Sequence, residues 1–209
     1  TGLAELGPPV AGDDVILWHA LVGGRPALHR GGFDGGIEPL AADRALSDPT
    51  RPVDGRVAVR AWSGQSAEVT LHALDDASDL LPRQAGAPPG PPALSADWLV
   101  WPAGDASPSL WAVARADLNQ GFQLTGRSGP QRAPHLDGDR LVWLDQSTSP
   151  PTLRLFELQT GAETILASAS IAPDDFDVRD GVVVWIADEG DGPALYRQAL
   201  DAGLPSTAP

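Results

Sequence analysis

A chain of 209 residues with a formal net charge of −14 is poorly suited to nucleic acid, which needs clustered positive charge. Its acidity reads first as solubility, and no apolar run approaches the roughly 18 residues that would span a bilayer as a helix. With no cysteine there is no disulfide, no thiolate metal site and no cysteine nucleophile. An apolar fraction of 42%, including seven Trp, is enough for a packed core. All fourteen basic residues are Arg and Asn119 is the single Asn, a bias read as GC-rich coding. A cysteine-free chain suits an oxidising compartment, and Thr1 in place of Met leads us to expect a processed or excised product.

One phrase recurs along the chain. It reads PVAGDDVILW ending on Trp18, PVDGRVAVR ending on Arg60, ALSADWLVW on Trp101, HLDGDRLVW on Trp143 and DVRDGVVVW on Trp185. The anchors are spaced by 42, 41, 42 and 42 residues, so five units of one length fill the chain. Within each unit a short strand meets an Asp- or Gly-containing turn. A continuous apolar run follows, of the kind buried on both faces, and then two more strands. Four strands in 40–45 residues is the signature of a propeller blade.

The first unit has strands at 8–12, 15–20, 27–32 and 37–41, with Asp34-Gly35-Gly36 as its last turn. The second has 52–54, 56–62, 68–74 and 78–81, with Arg60 at the anchor and Trp62 two places on. After the proline-rich stretch 85–92 the third has 93–95, 98–101, 109–115 and 122–125. In the fourth, strands at 141–145, 153–158 and 163–167 follow the inner strand carrying His135. The last has 176–179, 182–186 and 194–200, then runs into LPSTAP, whose two prolines suit a strand poorly. The start of the chain, TGLAEL at 1–6, matches TGAETIL of the fourth unit at 160–166, so it is expected to supply the last unit's fourth strand. The expectation is an all-β, five-bladed β-propeller over 1–203, closed without an exposed edge. Its blades run over 7–42, 43–86, 87–129, 130–170 and 171–203 plus 1–6, with 204–209 as tail or linker.

The phrase P-x-L-D-G-D-R-L-V-W-L-D, followed by L-x-L-F-E-L-Q-T-G-x-E-x-x-L, resembles the TolB-type (WD40-like) propeller repeat of bacterial and archaeal envelope proteins. The resemblance covers all five units, strongly in the fourth and weakly in the second. It implies a non-enzymatic, secreted or periplasmic scaffold for protein contacts. The Ser-Pro-Asp-Gly turn usual in that repeat is absent, there is no additional α/β domain, and five units stand where TolB has six.

A catalytic group should break a repeat, because an active site needs unlike residues at one spot. Trp18, Trp101, Trp143 and Trp185 recur at one register and read as packing between blades. Trp62, Trp98 and Trp111 lie off register and are the candidates for stacking on sugars. Asp13, Asp54, Asp137 and Asp180 recur in turns, where Asp caps its own backbone. The breaks are Asp145 and Asp188, read as ending equivalent strands where other units carry Ala20, Trp62 and Ala103. Arg60 in a Trp register calls for a carboxylate or carbonyl partner, expected from a neighbouring blade. Asp188, Glu189 and Asp191 form an oxygen-rich loop of the composition calcium prefers, without the ligand ladder of an EF-hand. A solvated acidic loop is the reading adopted, with no cofactor. His19, His29, His72 and His135 lie in three units without i, i+4 pairing, so no histidine metal motif exists. Nucleophile-elbow, P-loop and dinucleotide fingerprints are absent.

The function expected is a non-catalytic binding or scaffold propeller of a secreted or cell-envelope protein, with a protein partner. It carries no transmembrane segment and does not bind nucleic acid. Its working face gathers the loops 19–26, 62–67, 102–108, 145–151 and 188–193 with the connections 42–51 and 126–132, because loops on a rigid frame are where such folds place function. The partner-binding candidates are His19, Arg25, Trp62, Asp145, Asp188, Glu189 and Asp191. One rival is a lectin-like ring binding glycan through Trp62, Trp98 or Trp111. The other is a glycoside hydrolase in which Asp145, Asp177 and Asp188 converge as acid and base at the channel mouth.

Overall fold

The computed structural model describes residues 9–12, 14–22, 25–32, 35–40, 45–63, 66–75, 79–80, 89–126, 128–188 and 190–200. Among them there is no helix, and the strands form five antiparallel sheets in chain order. The first holds β1 (Val10–Ala11), β2 (Val15–Val22), β3 (Arg25–Gly32) and β4 (Ile37–Leu40). The second holds β5 (Ala45–Ser47), β6 (Arg56–Ser63), β7 (Ser66–Ala73) and β8 (Asp79–Leu80). The third holds β9 (Ala93–Leu94), β10 (Trp98–Ala103), β11 (Ser109–Ala114) and β12 (Phe122–Gln123). The fourth holds β13 (Gln131–Asp137), β14 (Arg140–Asp145), β15 (Thr152–Glu157) and β16 (Glu163–Ser168). The last holds β17 (Phe176–Arg179), β18 (Val182–Asp188) and β19 (Pro193–Ala199). The expected closing strand at 1–6 and the tail at 204–209 lie outside the described residues.

Strand alternation gives the sheets two faces, and the apolar ones that meet between successive sheets are buried. Four clusters of buried residues lie between successive sheets. Leu17, Leu28 and Leu40 of the first sheet meet Val57, Val59 and Ala61 of the second. Ala58, Val69 and Leu71 meet Leu99, Trp101 and Val113. Val100, Leu110 and Ala112 meet Leu141 and Trp143. Finally Val142, Leu144, Leu153 and Leu155 meet Phe176, Val183, Trp185 and Ala187. The rule is constant: the Trp position faces the preceding sheet, and its neighbours one place away face the next. Trp143 is fully buried on these terms, with Trp101 and Trp185 under 9% exposed. Trp18 obeys the same rule with no described sheet before it. It is half-buried, stacked on His29 with 5.7 Å between ring centroids. A Cβ on Gly31 would come within 3.0 Å of the Trp18 ring, so glycine is what lets the indole lie flat there.

The hairpin turns correct one reading from sequence. Arg56, Arg140 and Val182 each close their turn by pairing with Val53, Asp137 and Arg179. Three places further on come Val59, Trp143 and Trp185, so Val59 holds the Trp position and Arg60 does not. Two hairpin geometries cause the slip. Asp54-Gly55 and Asp180-Gly181 both sit at positive φ, the type I′ pattern, whereas the fourth sheet's turn puts Gly138 first, at φ 63, and Asp139 second. Aligning the Asp-Gly pairs therefore shifts the second unit by one, and the side-chain period of two sends Arg60 to the opposite face.

The second sheet also starts elsewhere than expected. Its first strand is Ala45–Ser47, pairing with Trp62, Ala61 and Arg60, and not 52–54. Pro52 has no N–H to donate, and Asp48 turns the chain at φ 51. Thr50 bridges the gap, its N–H donating to the Ala58 carbonyl and its Oγ1 accepting from the Ala58 N–H. Other strands differ at their ends. The longest extension is in the first sheet, where β2 and β3 run on to the pair Val22–Arg25.

Candidate functional site

The extended hairpin moves two expected loop residues onto strands. His19 is on β2 opposite Leu28, facing the second sheet, and Arg25 opens β3 with its side chain outside the described residues. Trp62 is likewise on β6, paired with Ala67, and half-buried. Its Nε1 donates to Ser47 Oγ at 3.1 Å. The Arg60 guanidinium lies over its ring, 5.5 Å from the centroid. Arg60 is fixed in turn by Asp48, Nε to Oδ2 at 2.6 Å, and its Nη1 reaches the Pro89 carbonyl at 3.5 Å. The ion pair expected with a neighbouring blade is thus made within the second sheet's own segment. The carbonyl contact crosses towards the third sheet.

The densest polar group surrounds Asp145, which is wholly buried. Register places Asp145 two positions beyond Trp143, facing the third sheet, beside Gln131 on one side and Thr152 on the other. Arg154 enters from β15, its Nε 2.8 Å from Asp145 Oδ2 and its Nη1 2.7 Å from Glu163 Oε1. Arg154 Nε also lies 3.1 Å from Thr152 Oγ1, and the Ser147 N–H donates to Asp145 Oδ1 at 2.9 Å. Gln131 is buried and accepts from the Thr125 hydroxyl. Sequence reasoning singled out Asp145 and missed Arg154 and Gln131. An Arg inside the apolar run TLRLFE was the available signal.

Asp188 was read as the counterpart of Asp145, and register overturns this. Ala187 is the residue two beyond Trp185, and Asp188, one further, points to the other face of its sheet and is exposed. Its Oδ1 accepts the N–H of Gly190 at 2.8 Å and of Gly192 at 3.2 Å, which folds the loop on itself. Asp191 is exposed, and Glu189 lies outside the described residues. Among the described residues no three His, Cys, Asp or Glu gather as a metal site.

A second polar link joins the first strands of the last two sheets. His135 Nδ1 and Asp177 Oδ1 are 2.9 Å apart, from equivalent positions opposite Val142 and Val184. The His135 ring lies 4.8 Å from Phe176, and Asp137 Oδ2 accepts the Gly181 N–H at 2.6 Å across the same junction. The hydrogen bond from His135 holds the Asp177 carboxyl below the usual range, aided by the His135 charge and the Val178 N–H and opposed by partial burial.

The three carboxylates of the hydrolase reading are therefore not brought together. Asp145 is buried and paired, while Asp177 lies four strand positions from Asp188, about 13 Å at 3.3 Å per residue. A general acid would need a raised pKa, and that of Asp177 is lowered. The off-register tryptophans form no common platform either. Trp98 meets Phe122 edge-on at the turn end of β10, Trp111 pairs with Trp101, and Trp62 is at the opposite end of its sheet. All three are half-buried.

The fold is that of a β-propeller. It is of TolB type: over 94% of its length the chain is similar to TolB from Acinetobacter baumannii, with a TM-score of 0.73 and 16% identity, covering 52% of that chain. The putative TolB from Agrobacterium tumefaciens matches 96% of the chain at a TM-score of 0.69 and 12% identity, covering 79% of that protein. A structure of the nidogen/laminin complex is similar over 87% of the chain, at a TM-score of 0.58 and 14% identity, covering 69% of its own chain. A structure from a comparison of two prolyl endopeptidases is similar over 92% of the chain, at a TM-score of 0.67 and 11% identity, covering 34% of its own chain. The chain thus spans about half the length of the first TolB structure. No family model matches the sequence. No curated protein matches it either. Among the described residues no helix is long and apolar enough to cross a membrane.

Proposed function

We propose that this chain is a non-catalytic, protein-binding propeller of a secreted or cell-envelope protein, using no cofactor. One observation carries the reading: the polar residues that break the repeat are bound to one another. Asp145 with Arg154 and Glu163, Arg60 with Asp48, and His135 with Asp177 form separate internal pairs in different parts of the fold. A catalytic site needs unlike groups turned towards one reacting atom. The similarity to TolB supports the same reading and the envelope setting. Residues 1–6 belong to this proposal as the fourth strand of the last sheet, making five four-stranded blades. The partner face is the end of the sheets carrying Trp62 and the loop 188–193.

The test is a pull-down from an envelope fraction with the purified chain as bait, against a charge-matched control. A protein captured by the native chain and lost with Trp62→Ala combined with Asp191→Arg is the expected result. Capture of glycan in place of protein, or equal capture by both proteins, would overturn the proposal.

A further inference from the structure

Each Trp-bearing strand turns a leading face to the sheet before it and a trailing face to the sheet after. On the leading face, two places beyond the Trp position, four sheets carry Ala20, Ala61, Ala103 and Ala187, and the fourth carries Asp145. The residue across from it changes in the same way. Leu46 and Pro89 pair with Ala61 and Ala103, where Gln131 pairs with Asp145. Asp145 and Gln131 are both 0% exposed, and Arg154 reaches Asp145 from β15. A buried ion pair is a poor source of stability, because apolar residues of similar volume serve as well or better. What the cluster does provide is a common anchor for three loops. The Ser147 N–H donates to Asp145 Oδ1 at 2.9 Å, which fixes the start of the loop 145–151. Gln131 accepts from the Thr125 hydroxyl, whose oxygen in turn accepts the Leu110 N–H at 2.9 Å. The Gln131 N–H donates to the Pro108 carbonyl and the Gln146 N–H to the Pro130 carbonyl, both at 2.9 Å. A Cβ on Gly129 would collide with Ser147, so two of the loops touch through their backbones. Ser107, Ser128, Thr148, Ser149 and Pro150 are exposed on these loops, and none of the exposed large hydrophobics of the described residues lies there.

Building on the protein-binding reading above, we infer that these three loops are the part of the partner face that recognises the partner, and that Asp145, Arg154 and Gln131 are their positioning residues. A surface of hydroxyls and main chain offers hydrogen bonds in place of apolar area, and so fits a polar protein surface. Hydrogen bonds weaken steeply away from their preferred geometry, and ordering loops at the moment of binding costs affinity. Such a surface binds well only when it is already held in place. The ion pair holds it from beneath, with Arg154 tied at its other end to Glu163 of β16 at 2.7 Å.

Loop order and stability can be separated by experiment. Asp145→Leu combined with Arg154→Met replaces the ion pair by apolar volume and should melt within about 5 °C of the native chain. Hydrogen exchange at the Gln131 and Gln146 N–H groups, whose backbone acceptors the substitutions leave in place, should rise at least about tenfold. Exchange at Val100 and Val142, in the strands of the same junction, should stay as in the native chain. Asp145→Asn keeps the shape and an acceptor for Ser147, and as a second variant should show the same local rise. Unchanged exchange at Gln131 and Gln146 in the folded variants overturns the positioning role. An equal rise in loops and strands, or a double variant that does not fold, overturns it too, because the cluster then supports the whole junction. In the pull-down from the envelope fraction, the folded double variant should lose the protein that the native chain captures. Equal capture overturns the assignment of recognition to these loops. A native chain that captures nothing overturns the protein-binding reading, and the exchange rates still decide the positioning role.

Discussion

Trp143 and Trp18 hold the same place in two sheets and have different surroundings. Trp143 packs against Val100, Leu110 and Ala112 of the sheet before it, whereas the described contacts of Trp18 are with His29 and Gly31 of its own sheet. Trp143→Ala should cost about 3–5 kcal/mol in denaturant unfolding, the range for emptying a large buried site, and Trp18→Ala distinctly less. A comparable loss is expected at Asp145. Arg154→Met removes one partner of a buried ion pair and leaves the carboxylate without its strongest neighbour, a change worth about 3–5 kcal/mol. Converting the pair together to apolar residues should recover much of it, which a double-mutant cycle would show. Asp177 gives a pH signature. Its folded pKa lies below the ordinary 3.8, so the stability it adds is present above that value and is lost as pH falls through the lowered folded value. Asp177→Asn should flatten the acid limb of the melting-temperature profile below about pH 4 and leave the neutral region nearly unchanged. An identical acid limb in both proteins would refute the assignment.

At the scale of strands and turns, much of the architecture was legible because the repeat unit is itself a structural unit. The second strands begin where expected in four sheets and one residue earlier, at Arg140, in the fourth, since each follows a turn with its own chemistry. Failure came where one dipeptide serves two geometries. Asp54-Gly55 and Asp137-Gly138 look alike in sequence, but the second lies one place earlier in its hairpin. Burial would have resolved it, because Val57, Val59 and Ala61 alternate as one apolar face of β6. The same one-place error paired Asp188 with Asp145. Arg154 escaped notice because its partners Asp145 and Glu163 come from two other strands, a juxtaposition that spacing alone does not reveal. The I′ turn offers a direct check. Gly55 sits at φ 67, where an added Cβ would meet nothing within 4 Å, so Gly55→Ala should cost about 1 kcal/mol through backbone strain alone. Gly138, at φ 63 in open space, should respond similarly.

Across the described residues, each apolar cluster is shared by two consecutive sheets and by no third. Stability of this kind is close to a sum over neighbours. Backbone hydrogen exchange should therefore be slowest in β6, β10 and β14, whose sheets are covered on both sides among the described residues, and faster in β18. Uniform protection from first sheet to last would contradict that picture. The same arrangement bears on ancestry. Because a unit touches only the one before and the one after, duplicating or deleting 42 residues in register rejoins a trailing face to a leading face and leaves no orphaned cavity. Unit number is then a quantity that recombination can change in a single event, while the side chains inside each remaining junction stay as they were.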